Sequence, residues 1–238
     1  MTVRGYWNRR ILTVMDTPER EDRDRTGRPA RFTTEDAIAA ALDLGIADFS
    51  LARVAHRLGV STPALYRLFP SRDALVEECL RYIFGRVDAP KENVPWRTLL
   101  EDYGMLLWKQ FTTYPRLHEI FANYPKPPRH YFPGLNQLYA LLTEQGFTRG
   151  QAIYATAYLF DMASSVVGMM QRQQSHLAAL APNDPPEFFT PEGAPVTTPD
   201  EITALASRQY RSEMDFFLDH MADTAPDWPA WVGAYQVF

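Results

Sequence analysis

The sequence predicts an all-α protein with an N-terminal helix-turn-helix head and a larger C-terminal helical body. Three observations carry that expectation. Apolar residues recur at helical spacing almost throughout, and no alternating run longer than a few positions marks a strand. The spacing Ala55, Gly59, Leu65 is that of two helices crossing about a tight turn. From residue 95 onward the same period continues through aromatic and small residues, as packed core helices require.

Composition narrows the function. The 238 residues are 46% hydrophobic, enough to bury a substantial core. A formal charge of −5 excludes a uniformly basic nucleic-acid coat and a highly charged disordered chain. Charge is uneven, however: residues 1–85 carry 13 Arg against 12 acids, and the remainder 11 bases against 17 acids. Within the first part, Arg25 to Arg72 holds seven arginines and four acids, a small basic patch. The single cysteine, Cys79, rules out an intrachain disulfide and fits a reducing, cytoplasmic compartment. Arg4, Arg9 and Arg10 precede only Ile11 to Met15, too short an apolar run for export. Ala152 to Met170 nearly reaches membrane-spanning length, but Asp161 at its centre points to a buried helix and no membrane partner.

Taken in order, residues 1–30 read as a flexible arm. Its alternating charges from Glu19 to Asp24 resemble solvated chain, and Arg25, Arg28 and Arg31 around Gly27 and Pro29 suit a minor groove. Residues 31–78 form the head. Thr33 or Thr34 caps a first helix with Ile38, Ala41 and Leu42 on one side, ending near Gly45. Ser50 caps a second, with Leu51, Val54, Ala55 and Leu58, that stops at Gly59. A third begins at Ser61 or Thr62 with Pro63 in its first turn. An ordinary α-hairpin is the plain alternative. Against it, Ser61, Thr62, Pro63 and Ala64 set short side chains at a helix start that can approach base edges.

The segment Gly27-Arg28-Pro29-Ala30-Arg31-Phe32 and the run from Leu58 through Leu-Tyr at 65–66, Phe69, and Pro70-Ser71-Arg72-Asp73-Ala74-Leu75 strongly resemble the TetR family of bacterial transcriptional repressors. The resemblance covers roughly residues 25–85. It departs at Arg67 and Leu68, where aromatic or His residues often follow the tyrosine, and at Ser50-Leu51-Ala52-Arg53, where a Thr-led start is usual. It implies that Thr62, Pro63 and Ala64 meet bases and that the Tyr66 hydroxyl reaches a phosphate. Arg67 and Arg72 are expected as phosphate clamps, with Ser71 capping a fourth helix whose N-terminus faces the same backbone. Thr33, Ser50, Ser61, Arg28 and Arg31 complete the expected DNA-contact set.

Residues 79–238 are expected to form a ligand-binding and dimerisation body. A helix over 71–87, with Leu75, Val76, Cys79, Leu80, Ile83 and Phe84 on one stripe, bridges head to body. Pro95 opens a long helix through Trp96, Leu99, Leu100, Tyr103, Leu107 and Phe111, which Pro115 ends. Shorter helices carry Leu117, Ile120 and Phe121, then, after a Pro125 to Pro128 turn, Leu135, Leu138, Tyr139 and Leu142. The resemblance places an inducer pocket among these helices, for an apolar small molecule. The candidate lining is Trp108, Phe111, His118, Tyr139, Tyr154, Tyr158, Asp161 and Ser165, the last four sharing one face of the helix from Thr148. The other face, with Ala152, Leu159, Ala163, Val166 and Met170, looks like an association seam. So does the series Ala206, Tyr210, Met214, Phe217, Met221 on the last helix; two such helices per chain suggest a four-helix homodimer contact. Leu177 to Pro199, rich in proline, reads as a long mobile loop, and the aromatic Trp228 to Phe238 as a segment that packs back.

Catalysis finds no support. Five scattered histidines lack helical metal spacing, and no phosphate loop or nucleophile motif is present, so neither enzyme activity nor a cofactor or metal is expected. The expected function is a ligand-responsive repressor that binds a palindromic operator as a dimer. The alternative is a dimeric DNA-binding or adaptor protein with a filled core and no inducer.

Overall fold

Short polar side chains start the first helices, and three of the four make the capping bond their position calls for. In the computed structural model, which describes residues 32–123, 134–181 and 184–224, Thr33 caps α1 (Thr34–Asp43) reciprocally with Asp36. Ser50 accepts from the Arg53 amide at the start of α2 (Leu51–Arg57), and Ser71 from the Ala74 amide at the start of α4 (Arg72–Gly85). Ser61 is the exception: it precedes α3 (Thr62–Leu68) without a side-chain capping bond, Pro63 fixing the first turn instead. Arg28, Arg31, the Pro125 to Pro128 turn and Trp228 to Phe238 lie outside the described residues.

The turn between α2 and α3 is built on Gly59, at φ +66°. That left-handed backbone lets the Val60 amide donate back to the Ala55 carbonyl at 3.0 Å and swings α3 across α2. Ala55, Val54 and Leu65 are wholly buried at the crossing. Helix α4 then packs on α1 through Leu75, Val76, Cys79 and Leu80, so its first half belongs to the head's core.

The body centres on α8 (Arg149–Ala179), 31 residues long and held at its start by a capping box between Thr148 and Gln151. Helices α5 (Trp96–Thr113), α7 (Gly134–Glu144) and α9 (Pro199–Thr224) pack around it, and α6 (Leu117–Asn123) closes the junction with α5. Small residues at Ala152, Ala155, Ala163 and Gly168 let these neighbours approach closely. Helix α8 is the one described helix long and apolar enough to cross a membrane, but half of its apolar window is buried against its neighbours.

Two expectations are corrected here. The faces read as association seams lie inside the chain's own core. Ala152, Leu159, Ala163, Val166 and Met170 are buried, as are Ala206, Tyr210, Met214, Phe217 and Met221. Small and flexible side chains serve close helix packing equally well within a chain and between chains, and α5 takes up that face. The second correction concerns Leu177 to Pro199. Helix α8 runs on to Ala179, and Phe188–Phe189 (β1) pairs antiparallel with Pro195–Val196 (β2) in a minimal hairpin. His176 Nε2 meets Glu187 Oε2 at 2.6 Å, and Val196 is buried, so the hairpin is fastened to the helix ends.

Candidate DNA interface and ligand core

On the head, the residues free to meet another molecule cluster on α3 and the turn before it. Ser61 and Pro63 are exposed, Thr62 and Ala64 half-buried, and Tyr66 is 51% exposed. Arg67 is exposed and makes no ion pair among the described residues. Leu68 is 44% exposed, because Phe69 takes the core position beside it. This surface offers a hydroxyl rim, a small apolar patch, a phenol and one free cation, on the outer side of a helix supported from beneath by Leu65. It suits a groove of duplex DNA.

Three expected contacts have inward duties. The Thr33 amide and hydroxyl donate to Asp36 Oδ2 at 2.7 and 2.9 Å, and these two bonds hold the Asp36 carboxyl below its usual pKa, while the hydroxyl also accepts from the Asp36 amide. Ser50 and Ser71 use their hydroxyls as caps. The clearest departure is Arg72. Its Nε donates to the Phe49 carbonyl at 3.0 Å, and Nη2 to the Ile46 and Ala47 carbonyls at 3.0 and 2.9 Å, while the guanidinium lies over the Phe49 ring. The expectation of a phosphate clamp at Arg72 is therefore corrected: the carbonyls of the α1–α2 loop have no helical partner and claim the side chain. Arg53 braces the same loop through the Asp48 carbonyl, and Arg57 pairs with Asp43 at 2.5 Å.

The candidate ligand residues separate into distinct groups. Phe111 and His118 come together, with ring centroids 6.2 Å apart, inside an edge-to-face aromatic cluster of Phe84, Phe121 and Phe160. This cluster joins α4, α5, α6 and α8. Tyr139 is buried on α7, where its hydroxyl meets Thr156 Oγ1 at 3.4 Å. Trp108 stacks on Tyr210, whose hydroxyl donates to the Gly104 carbonyl at 2.9 Å. Tyr154 stacks on Tyr158, which lies 4.2 Å from the Phe217 ring. Tyr158, Asp161 and Ser165 are on the outer surface of α8, not on a wall shared with Phe111. Apolar crowding still raises the Asp161 carboxyl's pKa, and Asp161, Tyr139 and Tyr210 add to burial in pushing up the Tyr103 phenol.

His118 stands out within the aromatic cluster. Its side chain is buried, its Nδ1 has no hydrogen-bond partner, and a Cβ at Gly168 would come within 2.9 Å of its Nε2, so the glycine on α8 makes room for the ring. Burial lowers its pKa, opposed by Glu119 and assisted by Arg172 and Arg116.

Sequence reasoning missed Arg116, in the turn between α5 and α6. Its guanidinium bridges Glu119, at 2.8 to 3.1 Å, and Asp48 in the α1–α2 loop. Only the three-residue interval to Glu119 was visible locally; Asp48 is 68 residues away.

Known proteins place this architecture. Residues 33–79 match the family described as "Bacterial regulatory proteins, tetR family", and residues 89–192 the "Tetracyclin repressor-like, C-terminal domain". Tetracycline repressor protein class D of Escherichia coli is 25% identical over 171 residues, covering 68% of this chain and 77% of that protein. Class G of Vibrio anguillarum is 30% identical over 146 residues, covering 58% and 67%. Among solved structures, a TetR variant from Acinetobacter baumannii AYE in complex with minocycline superposes with a TM-score of 0.61 at 19% identity, over 81% of this chain and 97% of that one. Apo ActR from Streptomyces coelicolor gives 0.56 at 16% identity, over 84% and 99%.

The neutral burial of His118 makes stability pH-dependent with a definite sign. Its folded pKa lies below the ordinary value of about 6.5, so on acidification the unfolded chain takes up a proton before the folded one does. Stability should fall as pH drops through about 6.5. His118→Leu should flatten that fall in urea melts between about pH 7 and 5.5; an unchanged slope would show that His118 is not held neutral in the fold.

Proposed function

Since the chain belongs to the tetR family of bacterial regulatory proteins and is thus a helix-turn-helix DNA-binding transcription regulator rather than an enzyme, we propose that it acts in the cytoplasm as a dimeric repressor of a palindromic operator, released by an apolar small molecule. The observation that carries the DNA reading is the free outer surface of α3, from which Thr62, Pro63 and Ala64 would meet base edges and Tyr66 and Arg67 phosphates. Arg28 and Arg31 are proposed to reach an adjacent minor groove, and Thr33, Ser50, Ser61 and Ser71 to bring helix starts near the backbone. In domain terms, 1–30 is the arm, 31–78 the head and 79–238 the regulatory body.

The dimer reading moves to the outer faces of α8 and α9. Tyr158 is 43% exposed, Met169 44% and Phe216 77%, an unusual amount of large apolar side chain for a surface. Met169, Gln209 and Ser212 also line a groove of about 630 Å³ between α8, the hairpin and α9, and Phe216 follows Ser212 by one turn. A second copy laid along these helices would cover both.

For the ligand, the aromatic cluster around Phe111 and Phe160 supplies apolar walls, and His118 Nδ1 supplies one unsatisfied polar partner. Tyr139, Tyr154 and Trp108 belong to the separate groups described above and would stand outside such a site. A second reading, a DNA-binding dimer with a filled core, is favoured by how completely Phe111 is packed.

Four measurements test these readings. The protein should prefer duplex DNA from upstream of its own gene over random duplex at moderate salt, and gel shifts without preference would end the repressor reading. Tyr66→Phe and Arg67→Ala should each weaken specific and random binding alike, with Arg67→Ala lowering the slope of log affinity against log salt by about one. In sedimentation, the chain should be a dimer at micromolar concentration and Phe216→Asp with Met169→Asp a monomer; a persisting dimer would place the contact elsewhere. Finally, a panel of polycyclic aromatics led by minocycline should contain a compound that raises the melting temperature and lowers operator affinity, an effect that His118→Phe removes. A wholly silent panel selects the filled-core reading.

A further inference from the structure

The α1–α2 loop over residues 44–49 receives side chains from three directions. Arg53 reaches it from α2, Arg72 from α4, and Arg116 from the body. The third is unlike the others because it joins segments of the head and of the body that are far apart in sequence. Arg116 is also unusual in its backbone, at φ +62°, the left-handed region that a non-glycine residue enters at a cost its surroundings must offset. Two things do so. Its amide donates to Gln171 Oε1 on α8 at 3.1 Å, and its guanidinium is gripped by Glu119 through both carboxylate oxygens. The side chain therefore presents Nη1 to Asp48 already oriented, with little freedom left to lose when that bond forms. Asp48 is equally constrained, since its amide donates to the Gly45 carbonyl at 2.9 Å and its own carbonyl accepts from Arg53.

We propose that Arg116 is a positioning residue for the DNA-binding head: fixed by Glu119 and Gln171, it clasps Asp48 and so ties the α5–α6 turn to the same loop that Arg72 braces, giving the body a route to the recognition helix besides α4. The proposal rests on the reading of α3 as the DNA-contacting helix. The route runs from α8 through Gln171 to Arg116, to the α1–α2 loop, and from there to α2, whose N-cap Ser50 closes that loop. A shift of α6 against α8 would pull on Asp48 directly. The His118 ring, two residues from Arg116 and packed on Gly168, sits where such a shift would start.

The test uses the full chain with Arg116→Gly, Asp48→Ala and the double variant. Glycine at 116 removes the clasp while relieving the left-handed backbone, so the turn itself is preserved. Hydrogen exchange without DNA should show faster exchange over residues 44–60 in each single variant. Affinity for the upstream duplex should fall about two- to fivefold, as a preorganised surface ion pair allows. The salt slope should stay unchanged, because Arg116 touches no phosphate, and the double variant should be no worse than either single one. Additive losses, a salt slope lower by about one, or unchanged exchange in the single variants would each overturn the clasp. If the wild type shows no preference for its upstream duplex, the operator reading fails, whereas the exchange data still decide the clasp.

Discussion

The backbone carbonyls of residues 46–49 set the geometry of the DNA-binding half. They leave α1 before α2 has begun and face no helical donor, so something else must satisfy them. Arg72 does this for residues 46, 47 and 49 with two of its nitrogens, while stacking on Phe49, and Arg53 takes the Asp48 carbonyl. One side chain at the start of α4 thereby fixes the loop, the entry angle of α2, and through the Gly59 turn the direction of α3. An arginine suits this task where a lysine would not, because its planar fork addresses several carbonyls at once.

That arrangement also explains what could be read in advance. Thr33, Ser50 and Ser71 announce helix starts because capping depends on residues three apart, and the turn at Gly59 is legible because backbone conformation is a local property. The direction of a charged side chain is not local. Arg67 and Arg72 look alike in sequence, yet one points out and the other in, and the difference lies in carbonyls more than twenty residues away. Asp48 and Arg116 escape notice for the same reason.

The body shows a second limit. Periodicity divides α8 into faces but assigns no partner to either. Asp161 and Ser165 mark one face as the more polar, but which neighbours the other face meets was set by the fit of α5 and α9 against its small residues. Membership of the aromatic cluster was partly visible in the density of rings, whereas its separation from Trp108 and Tyr158 followed from which helices meet at α6.

The burial of Cys79 within the α1–α4 contact has a chemical corollary. This is the chain's only thiol, it is fully enclosed, and burial pushes its pKa up to about 12. Near neutral pH the folded protein therefore offers no thiolate to peroxide, nitrosating agents or alkylating reagents. Thiol chemistry at Cys79 is thereby closed to the folded head. The same silence makes the wild-type chain a blank background for labelling. A cysteine introduced on the open side of α3 or on the outer turns of α9 would be the one thiol to take a maleimide, so a probe can be placed on either helix without first removing a native residue.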